Sequence, residues 1–365
     1  MRGVALPVVG QVPWSKAAHT DAKHKIYRAY LAKWYPILLS DNGYPSVTYA
    51  EGFAGPGVYE DGSPGSPVIA IQALLDTPEL EGTKKTTRFV FVDNDPRCVK
   101  LLGEQLRTKF PTRPRPPDLM PVSVVEGSCA EAFEPALEAV GAWHQPILAV
   151  FDSWGNAPVP YRLIRRLAQN PSSEVVVTFM PQHFIRFADK LGAEVDVIFG
   201  HDSSWRDVAK IQDGSKKKTF LLGKYRKMLR EAGFQFILDF ELVTKKGESL
   251  YLIFGSNHRR GLEKMKQSVW EVDALNGVGF RDPKDEFEEP LFDLNDPHLA
   301  PLERMLIERL SSGDSVRVEA LREFSLFSTV YREQHVIPAL IILRDRNLIS
   351  CDRPRIERAA LVRLA

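Results

Sequence analysis

The segment from Val47 to Gly57 constrains the fold of this chain more than any other. It is Val-Thr-Tyr-Ala-Glu-Gly-Phe-Ala-Gly-Pro-Gly, a β-branched and aromatic run that reaches an acid, Glu51, and then breaks into glycines. The three glycines are Gly52, Gly55 and Gly57. Such a run predicts a strand that enters a tight loop, and the missing Cβ atoms let the loop backbone approach a bound molecule closely. Ser66 is then predicted to cap a helix that has Pro67 at its first position and continues to Leu75.

The spacing of these glycines separates the loop from two common phosphate-binding loops. A dinucleotide loop requires Gly-x-Gly-x-x-Gly and a P-loop requires Gly-Lys-Ser/Thr, and the sequence has neither. An acid at the end of a strand, here Glu51, followed by a glycine loop resembles the first motif of class I S-adenosylmethionine (SAM) methyltransferases. An ordinary glycine-rich turn is the alternative, because such turns follow strands in any α/β fold.

Polar residues also follow the next two predicted strands. The apolar run 88–92 predicts a buried parallel strand, and Asp93 stands at its end. A carboxylate at this position of a parallel α/β fold accepts hydrogen bonds from ribose hydroxyls, although Asp93 could instead cap the helix that follows. Residues 122–125 predict a third strand. Ser128 beyond it could donate to an adenine ring or cap the next helix.

The end of the fourth predicted strand carries the residues most suggestive of chemistry. Residues 146–151 are apolar, and Asp152-Ser153-Trp154-Gly155 follows them. This strand end lies at the switch point of a parallel sheet, where Asp152 could position a nucleophile and Trp154 could stack a planar substrate. Asp152 as a capping acid is the alternative. His183, after a fifth strand at 174–180, either lines the same cleft or is structural.

A helix with a roughly periodic apolar stripe is predicted from 23 to 39, before the first strand. Lys23 and His24 would lie in its first turn, where cations interact unfavourably with the helix dipole. This placement suggests a contact with a ligand or substrate. Packing of a plain helix across the sheet is the alternative.

The second half of the main domain is predicted to close the sheet. Residues 234–242 and 249–254 predict a β-hairpin, and five parallel strands closed by an antiparallel pair form the sheet of SAM methyltransferases. Before it, residues 187–230 predict an insertion over the carboxyl edge of the sheet. Its cations at 216–218 and 224–230 are either solvated surface or a patch that faces phosphates.

The C-terminal part predicts a separate small module after a linker at 281–301. Helices are predicted at 302–310, 318–323 and 331–344, with short strands at 348–351 and 356–362, a helix-turn-helix or winged-helix pattern. From residue 302 to the end there are eleven arginines, nine acidic residues and no lysine, a balance of +2. The module could therefore bind nucleic acid or dock a protein.

The composition is that of an ordinary globular protein. Of 365 residues, 44% are hydrophobic and 26% are charged, and the net charge of +1 does not by itself indicate a nucleic-acid binder. The cysteines Cys98, Cys129 and Cys351 are far apart, which favours a reducing cytoplasm and suggests no metal site. We expect neither a signal peptide nor a membrane span.

Several of these residues together resemble one family. The combination consists of Lys23-His24, Tyr30, Trp34, the loop Tyr49–Gly57, Tyr59, Gly62 and Gly65-Ser-Pro67. It is similar to the three-Cys-motif partner protein (TcmP) family, bacterial proteins that resemble methyltransferases. The resemblance covers most of the chain. It implies a Rossmann-like class I methyltransferase domain at 1–280, a winged-helix-like domain at 302–365, and a radical-SAM-like partner that carries a three-Cys motif.

Two positions depart from the family pattern. The family usually has aspartate where this chain has Glu51, so the carboxylate is kept. The fourth strand of the family usually ends in Asp-Pro-Phe-Gly, and here Ser153 replaces the proline that shapes an amine-orienting carbonyl. The loss weakens the case for methylation of an amine, although Trp154 could still stack a base and Asp152 could still accept a hydrogen bond from an amine.

These inferences define one expected site and its function. The expected SAM-binding residues are Glu51, Gly52, Phe53, Gly55, Gly57, Asp93 and Ser128. The expected substrate-binding residues are Lys23, His24, Tyr59 and His183, and the expected catalytic residues are Asp152 and Trp154. We expect a SAM-binding methyltransferase-like protein that acts on or with DNA or RNA. A non-catalytic adaptor and a nucleic-acid-binding regulator are the alternatives.

Overall fold

The structure is a computed structural model that describes residues 11–365 except 112–114, 154–155, 157, 189, 244–248, 274–278, 281–296 and 312. The strands of its main sheet are β1 (Ser46–Glu51), β2 (Thr86–Asp93), β3 (Val122–Glu126), β4 (Ile147–Phe151), β5 (Glu174–Phe179), β6 (Phe236–Val243), β7 (Ser249–Ser256) and β8 (Gly279–Phe280).

The order of the strands identifies the fold. It is β3-β2-β1-β4-β5-β7-β6-β8, in which β1 to β5 are parallel and β7 runs antiparallel to both of its neighbours. Five parallel strands closed by an antiparallel hairpin form the class I methyltransferase sheet, so the predicted fold class is confirmed. Because β1 lies between β2 and β4, the chain reverses its direction of winding there. A crevice is expected at the carboxyl ends of these strands.

Helices cover both faces of this sheet. They are α1 (Ala18–Leu38), α2 (Ser66–Leu75), α3 (Pro96–Lys109), α4 (Cys129–Ala139), α5 (Tyr161–Gln169), α6 (Pro181–Phe187), α7 (Gly214–Ala232) and α8 (Arg259–Trp270). Short 3-10 segments occur at Pro78–Leu80, Ala193–Phe199 and Ser203–Lys210. Alternate strand residues face opposite layers: Tyr49 and Phe89 belong to the core under α1, α2 and α8, whereas Ala50 and Val90 belong to the core under α4, α5 and α7. Burial on both faces explains the continuous apolar runs of the sequence.

The beginnings of two helices differ from the sequence prediction. The first helix begins at Ala18 rather than Lys23, so Lys23 and His24 lie in its second turn. The first turn instead contains Asp21, whose negative charge interacts favourably with the helix dipole. Asp21 also pairs with Lys16 at 2.7 Å. In α2 the N-cap is Gly65, and the Ser66 hydroxyl donates to Glu51 instead of capping the helix.

The segment predicted as an insertion at 187–230 contributes to the core of the sheet. Phe199 and Trp205, in the two 3-10 segments, stack with ring centroids 5.3 Å apart, and both belong to the core on the face of α4, α5 and α7. Tyr225 of α7 stacks on Phe179 of β5 at 4.7 Å. The segment therefore covers a face of the sheet.

The C-terminal residues form a second, smaller layer. Its elements are α9 (Ala300–Leu310), β9 (Val316–Arg317), α10 (Val318–Ser328), α11 (Val336–Asp345), β10 (Ile349–Cys351) and β11 (Leu361–Leu364), with a 3-10 turn at Glu333–His335. The strands form an antiparallel sheet in the order β10-β11-β9. We call residues 297–365 the C-terminal module. Its assignment as a winged helix stays a prediction, and residues 281–296 of the predicted linker lie outside the described residues.

The C-terminal module packs on α8 of the main domain. The rings of Trp270 and His335 lie 4.4 Å apart, and Phe236 of β6 stacks on Phe327 of α10 at 5.2 Å. Buried residues of both parts belong to one continuous hydrophobic cluster. Among the described residues, no helix has the length and apolar composition needed to cross a membrane.

Candidate functional site

A cavity of about 340 Å³ lies at the carboxyl ends of β1, β2 and β4. This volume falls within the roughly 300–1,000 Å³ of small-molecule sites. The glycine loop after β1, the turn after β2, the start of α1 and Asp152 after β4 all contribute to its walls. The cavity therefore occupies the crevice that the strand order predicts.

Two glycines give the loop after β1 its shape. Gly55 and Gly57 have φ angles of +63° and +72°, a left-handed conformation that residues with a Cβ rarely adopt. A Cβ on Gly65 would lie 2.9 Å from the Cα of Gly57, and the Gly65 N–H donates to the Gly57 carbonyl at 2.8 Å. The loop therefore folds back tightly on itself, and the backbone of Gly55 and Gly57 lines the cavity.

Asp93 connects the end of β2 to this loop. One carboxylate oxygen accepts the N–H of Gly55 at 2.8 Å, and the other accepts the N–H of Asp95 at 2.9 Å. Burial raises the pKa of the Asp93 carboxyl. A carboxylate oxygen can accept more than one hydrogen bond, so acceptor capacity remains toward the cavity. Asp95, not Asp93, caps α3, because its side chain accepts the Arg97 N–H.

Glu51 lies beneath the loop rather than in the cavity wall. Its carboxylate is 1% exposed and accepts hydrogen bonds from the hydroxyls of Tyr49 and Ser66, both at 2.8 Å. Burial raises its pKa to about 8, since the two hydroxyls offset only part of the desolvation. The acid therefore holds the strand end, the loop and the start of α2 together.

A partly buried ion pair faces the glycine loop from the other side. Lys23 of α1 and Asp152 after β4 both line the cavity, and the Lys23 ammonium donates to the Asp152 carboxylate. Lys23 is 5% exposed. The N–H of the next residue, Ser153, donates to the Thr178 hydroxyl at 3.1 Å and so fixes the chain after Asp152. The start of α1 and the end of β4 thus place one cation and one anion next to each other in the cavity wall.

Aromatic and imidazole groups surround this pair. His24 contacts the Tyr59 hydroxyl through Nε2 at 3.4 Å, and Nδ1 is buried without a hydrogen-bond partner in the described structure. Burial lowers the pKa of His24 to about 3, so its ring is neutral near pH 7. Burial also raises the pKa of Tyr59, and it lowers that of His19, with a further contribution from Lys23.

Six of the expected residues are not among the described walls of the cavity: Glu51 and His24, described above, and the four that follow. Gly52 is buried behind the loop, where a Cβ would lie 2.7 Å from the Cys129 sulfur. Ser128 occupies the N-cap position of α4 and donates to Glu131 at 3.0 Å. His183 packs in α6 against neighbouring phenylalanines. Trp154 lies outside the described residues. Phe53, Gly55, Gly57, Asp93, Lys23, Tyr59 and Asp152 are brought together.

Several cavity residues at the start of the chain were not predicted from the sequence. Trp14, His19 and Thr20 line the cavity, and the Trp14 ring lies 3.4 Å from the position of a Cβ on Gly55. The only available signal was their position just before Lys23. Met180, at the end of β5, also lines the cavity.

Several cations of α7 have partners within the described structure. Lys224 pairs with Asp202 at 3.3 Å, and Arg226 pairs with Asp239. The Lys218 ammonium donates to the Ser249 hydroxyl at 3.1 Å. These three cations therefore already have acidic or polar partners, and the choice between solvated surface and a phosphate-facing patch stays a prediction.

No family model matches the sequence, and no curated protein matches it. Solved structures align with it loosely. EvdMO1 aligns over 65% of this chain and 42% of its own, at 11% identity and a TM-score of 0.33. The DszA carbon methyltransferase aligns over 66% of this chain and 54% of its own, at 12% identity and a TM-score of 0.37. The human methyltransferase 10 domain containing protein aligns over 64% of this chain and 82% of its own, at 9% identity and a TM-score of 0.33.

The chain thus spans about half the length of the first two of these structures. Alignments this loose carry no argument about function. The methyltransferase fold rests on the strand order itself, and the TcmP resemblance stays a prediction.

Proposed function

We propose that the cavity binds SAM and that the chain is a SAM-dependent methyltransferase. One observation carries this proposal: the left-handed glycine loop, Asp93 and the Lys23–Asp152 pair line a single cavity at the switch point of a methyltransferase sheet. A sheet of this kind binds ligands at that edge.

The residues present fit the cofactor. The backbone at Gly55 and Gly57 would hold its methionine part, and the Asp93 carboxylate would accept hydrogen bonds from its ribose hydroxyls. Among the described wall residues Asp93, Asp95 and Asp152 are acidic and Lys23 is basic, a balance that suits a positively charged sulfonium. When bound, SAM supplies a methyl group activated for transfer. Alignment of an acceptor with that methyl gives most of the acceleration, so few titratable groups are needed.

Titration calorimetry of SAM and S-adenosylhomocysteine into the purified protein tests the proposal. We expect micromolar binding that Asp93→Asn weakens at least tenfold, because one of the two oxygens that accept the Gly55 and Asp95 N–H groups becomes an NH2 group, which cannot accept a hydrogen bond from an N–H or a ribose hydroxyl. Asp76→Asn is the matched control, since Asp76 follows α2 outside the cavity and bonds Gln72. Absence of binding to the wild type, or equal affinities of the two variants, would contradict the proposal.

A non-catalytic adaptor is the second candidate, and the ion pair is the observation that favours it. The Lys23 ammonium donates to the Asp152 carboxylate, the group that an amine-methylating enzyme would use to hold its substrate. In this alternative the protein transfers no methyl group, whether or not the cavity binds SAM. It presents a substrate to another enzyme. Methyl transfer by the purified protein would exclude it.

Action on DNA or RNA, and association with a three-Cys-motif partner, rest on the family resemblance and are proposed on that ground alone. Co-purification from the native host tests the partner. A salt titration of DNA and RNA binding tests the nucleic acid, because contacts to phosphates weaken as salt increases. Binding that salt does not change would count against phosphate recognition.

A further inference from the structure

We propose that the methyl acceptor is a hydroxyl oxygen, and that Lys23 and Asp152 activate it as a pair. This inference rests on the proposed function. Both side chains line the cavity, and they come from α1 and the end of β4, separated by 129 residues of sequence. The fold therefore places a lysine against the acid that would face the acceptor.

The charge at this place argues against an amine as acceptor. In methyl transfer to a neutral amine, the positive charge of the sulfonium moves onto the nitrogen. An ammonium group in the same cavity repels this developing charge, and with Lys23 5% exposed the repulsion is little screened.

The same pair suits a hydroxyl. A neutral hydroxyl is a weak nucleophile and must lose its proton as it attacks. The O–H bond breaks and its proton passes to the Asp152 carboxylate, while the Lys23 ammonium stabilises the negative charge that develops on oxygen. The oxygen forms a bond to the methyl carbon of SAM as the carbon–sulfur bond breaks, and the electron pair of that bond stays on sulfur. The products are a methyl ether and a neutral thioether, and the proton leaves Asp152 for water.

Apart from His19, which also lines the cavity, the other titratable groups near the pair are neutral or held by other partners. Burial keeps His24 neutral, with a pKa of about 3, and raises the pKa of Tyr59. Glu51 is held by two hydroxyls beneath the loop, and Asp93 accepts two backbone N–H groups. Among the described wall residues, the one lysine is Lys23, and it pairs with the acid that follows β4, Asp152.

The test uses the full-length protein, SAM with a carbon-13 methyl group, and a heat-treated extract of the native host as the source of acceptors. Mass spectrometry of the labelled products identifies the atom that bears the methyl. We expect methyl ethers. Labelled N-methyl or S-methyl products, or no labelled product, overturn the inference. SAM binding in calorimetry would meanwhile leave the proposed cofactor site standing, so the two failures are distinguishable.

Variants of Lys23 and Asp152 distinguish a chemical role of the pair from a purely structural one. We expect Lys23→Met and Asp152→Asn each to lower ether formation about 100-fold or more, the usual contribution of acid–base groups. The double variant leaves no buried unpaired charge, so it would recover activity if the pair were only structural. We expect it to stay inactive while it still binds SAM. Recovery of activity in the double variant overturns the chemical role.

Conservative and neighbouring variants complete the test. Lys23→Arg keeps the cation and should retain more activity than Lys23→Met. Lys25→Met is the matched control, because Lys25 lies on the exposed side of α1 and pairs with Asp21 at 3.2 Å. It should match the wild type. A loss with Lys25→Met equal to that with Lys23→Met would show that α1, and not the Lys23–Asp152 pair, is responsible.

Discussion

Gly261, near the start of α8, lies so close to a buried carboxylate that no side chain fits between them. A Cβ there would stand 2.0 Å from Glu174 Oε1 and 2.7 Å from the Ser256 hydroxyl. Glu174 cannot move without weakening the bonds it accepts from Tyr30 at 2.5 Å and Ser256 at 2.8 Å. We expect Gly261→Ala to lower the free energy of unfolding by about 1–3 kcal/mol, the usual cost of overpacking, in urea denaturation.

Gly223→Ala is the control for helix propensity. Gly223 lies inside α7 and a Cβ on it would have no neighbour within 4 Å. Alanine should therefore raise the free energy of unfolding by about 0.5–1 kcal/mol. If both variants gained stability, the tight contact between Gly261 and Glu174 would be excluded.

Glu51 makes stability depend on pH at the scale of a single residue. Burial raises its folded-state pKa from 4.5 to about 8. The folded protein then binds this proton more tightly than the unfolded chain does, so the stabilisation is complete below about pH 4.5 and is lost as pH rises through 8. We expect Glu51→Gln to reduce the fall in unfolding free energy over this range, by at most about 1.4 kcal/mol per pH unit.

Urea denaturation at several pH values across that range measures the slope. Glutamine can still accept from Tyr49 and donate to the Ser66 oxygen, so the variant should fold. Glu81→Gln, at an exposed position, should leave the slope unchanged. A Glu51→Gln slope equal to that of Glu81→Gln would mean that Glu51 titrates normally.

At the scale of elements, Lys266 of α8 holds the end of α10. Its buried ammonium, which has three N–H donors, is surrounded by the carbonyl oxygens of Ser325, Leu326, Thr329 and Tyr331 at 2.6–3.0 Å and shares its hydrogen bonds among them. Lys266→Met would leave these acceptors without their donor. We expect a loss of about 3 kcal/mol of unfolding free energy, because hydrogen bonds to a charged group are strong and their unpaired buried partners are costly.

Lys264→Met is the matched control for that loss. Lys264 is half-buried on the same helix, and its ammonium donates to Gln267 at 3.3 Å. We expect a change within about 0.5 kcal/mol. Similar losses for the two variants in chemical denaturation would refute a special role of Lys266 in joining α8 to the C-terminal module.

The strands were predictable and the ends of α1 and α2 were not, for physical reasons. Burial on both faces produces continuous apolar runs, so β2 and β5 could be found from local sequence. The start of α1 depends on the partners of Asp21, and the hydroxyl of Ser66 bonds Glu51 rather than its own helix. Local sequence does not reveal such partners.

The candidate site was predictable mainly where it follows strand ends. Asp93 is the last residue of β2 and Asp152 directly follows β4, and the carboxyl ends of these parallel strands must share one edge of the sheet. Trp14 and His19 reach the cavity through the packing of α1, which no spacing encodes. The pairing of Lys23 with Asp152 spans 129 residues and is likewise a product of the fold.

At the scale of the whole molecule, distant parts of the chain build one cavity. The start of α1, the glycine loop, the end of β2 and the end of β4 meet there. The C-terminal module shares the core under α1 and α8, so it stabilises the layer that carries Lys23.

A crystal structure of the protein with S-adenosylhomocysteine tests this account most directly. We predict that the ligand occupies the cavity of about 340 Å³, with its ribose hydroxyls on Asp93 and its sulfur on the side of the Lys23–Asp152 pair. A ligand bound elsewhere, or one that places its sulfur away from that pair, would contradict the proposed methyl-transfer site.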